Sequence, residues 1–312
     1  VPKARRPAVD LAVYAAVRLF VCVVQGVPVR LAVAVAGGLA RVAYRVDRRH
    51  RAVAADNLRH AFPDLPPDRI DRLVRGCYRH LCLLVVEIIL LPRKLAVTNW
   101  RRYATLENAR PVLAALIDRR PTLIVTAHFG NWELAGYTLG LLGFRTHAIA
   151  RVLDNPHLER FLKRFRQRTG QTIIAKKDDF DRLEGVLRAG GKVATLADQD
   201  AGPRGVFVDF FGRPASAHKA VALMAVEFGA RMLVVGVPRV AEADAAGVFA
   251  YRIVCEDVID PAEYAGRPDA VRAITQRYHA ALERVIRRHP EQYFWLHRRW
   301  KTRPAARKRA AA

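Results

Sequence analysis

The chain is nearly without serine: Ser216 is the only one in 312 residues. It stands in Pro214-Ala215-Ser216-Ala217-His218, without the flanking glycines that turn a strand sharply into a helix around a nucleophilic serine, so a serine acyl-enzyme is excluded. Cysteine is sparse as well. Cys22, Cys77, Cys82 and Cys255 form no C-x-x-C pair, and two of them sit in strongly apolar stretches. That removes zinc knuckles and a disulfide framework and points to a reducing compartment. Histidines never recur at H-x-x-x-H spacing, so no metal site is expected. Gly190-Gly191-Lys192 lacks the earlier glycine of a phosphate loop, and Gly136, Gly140 and Gly143 lack dinucleotide-binding spacing. Acidic residues are few: 29 against 53 lysines and arginines, a net charge of +24. Such an excess calls for an anionic partner, whether nucleic acid, an acidic membrane surface or an acidic protein. Nucleic acid is the weaker reading, because no recognised module and no basic stretch interleaved with exposed aromatics is present.

From Leu11 to Tyr44 the sequence is almost wholly apolar, interrupted by Arg18, Arg30 and Arg41 and by Gly26-Val27-Pro28. No uncharged run reaches the ~18 residues of an unambiguous spanning helix. On a helical wheel the three arginines fall within about 140° of arc. This suits helices with snorkelling arginines, lying in a membrane interface or crossing it, with a buried core pair as the alternative. The following run of Arg41, Arg45, Arg48, Arg49 and Arg51 offers no small-residue cleavage site, so residues 8–44 read as a retained anchor. Residues 47–62 read as a basic helix. Pro66-Pro67-Asp68 then opens a long helix expected to stop at Pro92. Its second half, Leu81 to Leu91, is apolar all round except for Glu87, and so needs core or lipid on every side.

After Asn108 the texture alternates. Strands are expected at residues 123–126, 146–149, 172–174, 193–196, 233–237 and 249–254, and helices at 132–142, 156–168, 180–188, 218–228 and 270–288. This is an α/β pattern: a mainly parallel sheet flanked by helices, preceded by an N-terminal membrane-associated helical segment. Tyr293, Trp295 and His297 alternate as a last core strand would. The domain spans 46–304, and 305–312 form a basic tail read as disordered.

His128 falls where the strand 123–126 ends and a helix begins, the ligand edge of an open α/β sheet. Glu133 is five residues on, within reach of the imidazole across the first helical turn. A carboxylate on one ring nitrogen fixes the tautomer, leaving the other free to take a hydroxyl proton. Composition alone predicts about one His-x4-acid pair by chance, so spacing carries little weight and position carries more.

The run Thr126-Ala127-His128-Phe129-Gly130-Asn131-Trp132-Glu133 resembles the signature of the lipid A biosynthesis acyltransferases, a family within the lysophospholipid acyltransferase superfamily. Further resemblance lies in Ala55-Asp56-Asn57-Leu58-Arg59-His60-Ala61-Phe62-Pro63, in Arg151-Val152-Leu153-Asp154-Asn155-Pro156, in Asp198-Gln199-Asp200 with Gly202-Pro203-Arg204 and Phe210-Phe211-Gly212, and in Glu291 to Lys301. The resemblance implies a glycerolipid-acyltransferase-like fold without metal or cofactor. It implies an acyl-carrier-protein (acyl-ACP) or acyl-CoA thioester as donor and a membrane glycolipid as acceptor, foremost a lipid A precursor, with a phosphatidylinositol mannoside as the alternative. It further implies the inner (cytoplasmic) membrane, with the active site facing the cytoplasm and an anionic membrane surface as partner. His128 is then the general base and Glu133 its orienter; Asn131, Arg151, Asp198, Asp200 and Arg204 are the substrate-binding candidates. Arg151 suits an acceptor phosphate, the reaction's oxyanion, or a plain ion pair with Asp154. Val152, Gln199, Ala201, Ser216, His218 and Lys219 depart from the family pattern, near where the acceptor would bind.

Overall fold

The structure, a computed structural model, describes residues 6–175, 179–243 and 246–304; the expected tail at 305–312 lies outside them. Gly26-Val27-Pro28 separates α1 (Pro7–Gly26) from α2 (Val29–Val46), so Arg18 stands on a different helix from Arg30 and Arg41. Asp47 caps α3 (Arg48–Ala61) by accepting the His50 N–H at 3.2 Å. Proline at the first position opens α4 (Pro67–Lys94), where its missing N–H costs nothing. Pro92 does not stop this helix. It sits in the final turn, close enough to the end that the helix closes at Lys94.

The alternating region follows in order: β1 (Ala104–Glu107), α5 (Ala109–Ile117), β2 (Thr122–Thr126), α6 (Trp132–Leu141), β3 (Thr146–Ala150), α7 (Pro156–Gln167), β4 (Gln171–Ala175), α8 (Phe180–Arg188) and β5 (Lys192–Leu196). The hairpin β6 (Val206–Phe210) and β7 (Arg213–Ala217) leads to α9 (Lys219–Glu227), β8 (Arg231–Gly236), β9 (Arg239–Ala241), β10 (Ala250–Ile259) and α10 (Ala270–Arg288). The main sheet runs β1-β10-β8-β2-β5-β3-β4, with β9 added on β10. Every pair along that path is parallel except β10 with β8. Residues 293–297, expected as a strand, make only an isolated bridge from Tyr293 to Phe129. Their backbone is instead clasped by Asn57, whose Nδ2 donates to the carbonyls of Trp295 (2.7 Å) and His297 (2.8 Å).

Strand periodicity sorts the core onto the two sheet faces. Leu123, Val125, Met232 and Val234 join one apolar cluster under α8, α9 and α10. Ile124, Leu233 and Val235, the alternate positions, join the other under α5 and α6. The α4 helix serves both, Ile70 to Tyr78 with the first and Leu83 to Leu91 with the second. Core thus meets most of the demand of its apolar half, and Glu87 is buried with it.

Outside this core, α1 and α2 keep large apolar side chains in the open. Val9, Leu11, Val13, Leu19, Phe20 and Val23 are exposed on α1, and Leu31, Val35, Leu39 and Val42 on α2. The α1 helix is 20 residues long with a mean hydropathy of 1.9, long and apolar enough to cross a membrane, and only 6% of that span is buried. It is held to the body on one side: Asn155 donates to the Asp10 carbonyl at 2.8 Å, and Gln25 to that of Ile89 at 2.9 Å.

Candidate active site

The site follows from strand register. β2 and β5 are parallel neighbours with Thr126 beside Leu196. Two residues further along each chain, positions 128 and 198 must lie side by side. The Ala197 N–H donates to the Thr126 carbonyl at 3.0 Å, extending the ladder. One Asp198 oxygen then accepts the backbone N–H of His128 at 3.1 Å, and the other lies 2.8 Å from its ring Nδ1. Among the described residues nothing else hydrogen-bonds the imidazole, so Nε2 is its free nitrogen. The His128 side chain is 25% exposed and that of Asp198 2%.

Burial alone would depress the His128 pKa, but the charge and hydrogen bond of Asp198 outweigh it, and the imidazole is raised above its ordinary value. Asp198 is its counterpart. Burial pushes its pKa up, yet the His128 charge and two hydrogen bonds hold the carboxyl below the usual range. The pair therefore favours a charged imidazole, which a base must become as it takes a proton.

Gly130 makes the geometry possible. Its φ is +59°, and a Cβ there would lie 1.7 Å from the carbonyl oxygen of Val237. Asn131 uses that close approach, its N–H donating to the Val237 carbonyl at 2.9 Å, while the N–H of Gly130 itself donates to the Gln292 carbonyl at 3.1 Å. Beneath the turn runs a buried polar chain. Glu87 accepts both Nε (3.0 Å) and Nη2 (2.6 Å) of Arg239, and the Tyr251 hydroxyl donates to the same carboxylate. Arg239 Nη1 reaches His80 Nδ1 at 2.9 Å, and His80 Nε2 lies 3.2 Å from the Gly130 carbonyl. Burial and the Arg239 charge lower the His80 pKa to about 3. His80 is therefore neutral, accepting from Arg239 at Nδ1 and donating from Nε2 to Gly130. From the C-terminal segment, Phe294 N–H donates to the His128 carbonyl at 3.0 Å. The rings of Trp132 and Phe294 flank the imidazole at 5.3 and 6.0 Å.

The other candidates are dispersed. Glu133 was expected on the imidazole; instead Arg166 of α7 takes both its oxygens. The reason is that α6 begins at Trp132, which directs its first turn toward α7, while Asp198 already occupies Nδ1. Asn131 is fully buried and caps α6, accepting the Leu134 N–H at 2.9 Å. Arg151 follows β3 on the same sheet edge; its side chain is 78% exposed and it pairs with Asp154 at 3.1 Å. Asp200 fastens the C-terminal segment, accepting the Thr302 hydroxyl at 2.9 Å. Arg204 is exposed on the loop before β6. Asp198 alone of these touches His128. Sequence reasoning placed it in the site but missed its pairing, and Trp132 and Arg166 were not singled out at all.

An apolar cavity of about 110 Å³ lies between α5, α6 and the sheet. Ile124, Ala135, Leu139 and Ala194 line it, and so do Trp132, Glu133 and Arg166. Trp132 therefore belongs to both places: its ring packs on the imidazole and also walls the cavity.

Comparison with known proteins gives a consistent picture. Residues 3–302 match the model of a family described as bacterial lipid A biosynthesis acyltransferase. The chain is 30% identical over 263 residues to the lipid A biosynthesis palmitoleoyltransferase of Escherichia coli, covering 82% of this chain and 80% of that one. It is 28% identical over 279 residues to the lauroyltransferase of the same pathway and organism, covering 86% and 84%. A phosphatidylinositol mannoside acyltransferase of Mycobacterium tuberculosis is 30% identical over 156 residues, covering 47% of this chain and 48% of that one.

Proposed function

From the premise that the chain belongs to the bacterial lipid A biosynthesis acyltransferase family, and is an acyltransferase, we propose that it moves a fatty acyl group from a thioester to a hydroxyl of a membrane glycolipid, with His128 as base and Asp198 as its partner. The observation that carries this reading is His128 itself: a partly exposed imidazole whose Nδ1 is held by a buried carboxylate, packed against the tryptophan that walls an apolar cavity. Nε2 takes the proton as the acceptor oxygen attacks the thioester carbonyl. The resulting oxyanion collapses, the C–S bond breaks, and the imidazolium returns the proton to the departing thiolate. Charge on the imidazolium is matched by Asp198 throughout. The acyl chain extends into the cavity beside Trp132, and Arg151, on the same sheet edge, meets the acceptor phosphate or the oxyanion. Glu133 and Arg166 act together, fixing α6 against α7 at the cavity wall.

The acceptor is a lipid A precursor, and the donor is an acyl chain on an acidic carrier protein, the partner that a net charge of +24 best attracts. The enzyme works at the inner membrane with its site facing the cytoplasm, a reading that the long, apolar and largely unburied α1 helix supports. The test is transfer from acyl carrier protein or coenzyme A to a lipid A precursor, read by mass spectrometry of the lipid. His128→Ala should abolish the added acyl mass while the protein still folds, with a lowered melting temperature because the buried Asp198 carboxylate loses its counter-charge. Near wild-type transfer by that variant would refute the mechanism.

A further inference from the structure

A second cavity, about 890 Å³, opens between α1, α4 and α7 and shares no lining residue with the apolar cavity beside Trp132. Its floor is apolar: Val21 of α1, Ile88 and Ile89 of α4, and Phe161 and Phe165 of α7. Its rim is cationic. Arg160, Arg164 and Arg168 recur every fourth residue along one stripe of α7 and its last turn, and Arg18 of α1 lies over the Phe161 ring at 4.9 Å. Among the described residues no acidic side chain lines the groove. Among the described residues none of these four guanidiniums has a carboxylate within ion-pair reach, whereas Arg166 on the same helix is paired with Glu133. The partners of Arg160 are the Pro156 carbonyl and His157 Nδ1, neither of them a carboxylate. On the adjoining turn of α1, Leu19, Phe20 and Val23 are exposed. An apolar floor, an unmatched cationic rim and an apolar outer surface select an amphiphile carrying an anion next to its hydrocarbon.

We propose that this groove binds one anionic phospholipid of the bilayer, its phosphate held by Arg160, Arg164 and Arg168 with Arg18, and its acyl chain laid against Val21, Ile88 and Phe161, bridging α1 to α7. The occupant is a resident lipid and not the acceptor, because His128 does not line the groove and α7 stands between the groove and the other cavity. The inference does not depend on the acyl-transfer reading.

The experiment uses the delipidated full-length protein in phospholipid-free detergent micelles. Melting temperature and binding are measured with phosphatidylglycerol, with phosphatidylcholine and with inorganic phosphate. Three proteins are compared: wild type, Arg160→Gln/Arg164→Gln/Arg168→Gln, and a charge-matched control, Arg48→Gln/Arg49→Gln/Arg59→Gln. Phosphatidylglycerol should raise the melting temperature of wild type and control, and the other two ligands should not. The groove variant should bind phosphatidylglycerol at least tenfold more weakly while melting as wild type does without lipid. An equal loss in the control would reduce the effect to overall charge and overturn the proposal. So would a response to phosphatidylcholine or inorganic phosphate as large as that to phosphatidylglycerol. A raised acceptor KM for the groove variant in the same micelles would make the groove an acceptor site, again overturning it. Absence of acyl transfer from all three proteins would strike the proposed function and leave the lipid-binding result readable.

Discussion

Asp198→Asn isolates the central interaction, because it preserves shape and removes one acceptor. The two Asp198 oxygens serve two donors, the backbone N–H of His128 at 3.1 Å and the ring Nδ1 at 2.8 Å. An amide has one oxygen to offer. If it faces the backbone N–H, its NH2 points at Nδ1, which must then accept; the ring proton moves to Nε2 and the base is lost. If it faces the ring, two N–H groups oppose each other in a buried space, at about 1–3 kcal/mol. Loss of tautomer control together with the imidazolium's counter-charge is expected to lower kcat by ~10³- to 10⁴-fold, about 4 to 5.5 kcal/mol of barrier. The pH dependence gives a second readout. Wild-type activity should rise with pH through the raised His128 pKa, since only the neutral ring is a base. In the variant burial alone acts on the ring, so the acid limb should move to lower pH while the plateau falls. Stability follows the same pair. The His128 contribution is complete below about 6.5 and is lost as pH rises through its raised pKa. The Asp198 contribution is present above about 3.8 and is lost as pH falls through its lowered pKa. The melting-temperature difference between wild type and variant should therefore be greatest between those values. Steady-state kinetics and calorimetry across pH 3 to 9 would decide it. A variant within tenfold of wild type, with its acid limb unmoved, would refute the reasoning.

Three further outcomes are expected. Gly130→Ala should destabilise by at least ~3 kcal/mol, because its Cβ would meet the Val237 oxygen at 1.7 Å at a φ of +59°; a melting temperature within 2 °C of wild type would contradict this. Glu87→Gln leaves the Arg239 charge buried without its counter-ion, and chemical denaturation should show a loss of about 3–5 kcal/mol. Arg151→Ala, at an exposed position, should leave stability unchanged and lower kcat/KM by at least ~100-fold. A fall in kcat would assign it to the oxyanion and a rise in acceptor KM to the phosphate, and an effect under threefold would remove it from the site.

Much of the architecture was legible because its signals are local. The run Leu123 to Thr126, β-branched from Ile124 on, and the proline that opens α4 define elements without outside help, and the place of His128 at a strand end follows from the first. Its partner was not legible. β2 and β5 are neighbours although β3 and β4 intervene in sequence, so nothing local assigns position 198 to position 128. The β6–β7 hairpin was missed for a different reason. It turns through Phe211 at φ +56° and Gly212 at +73°, where pattern rules look for asparagine or aspartate before the glycine. At Tyr293 to His297 a true alternation of buried aromatics misled, since Asn57 clasps the backbone and leaves no ladder to join. Glu87 stood out as a lone charge in an apolar helix, but its answering arginine lies 152 residues away.

The Asn57 clasp also sets a timetable for synthesis. Asn57 and Trp295 are 238 residues apart, Cys77 and Tyr293 are 216 apart, and Phe294 closes over the carbonyl of His128. A nascent chain can fold α4 and even pair β2 with β5 while residues 292–297 are still inside the ribosome. Until they emerge, the carbonyl of His128 and the amide of Gly130 lack their final partners, and the polar floor of the site stays open to water. Closure of so long a loop comes late because its entropy must be met before its contacts reward it. Each polypeptide thus remains without its finished site until the segment from Gln292 to His297 has left the ribosome.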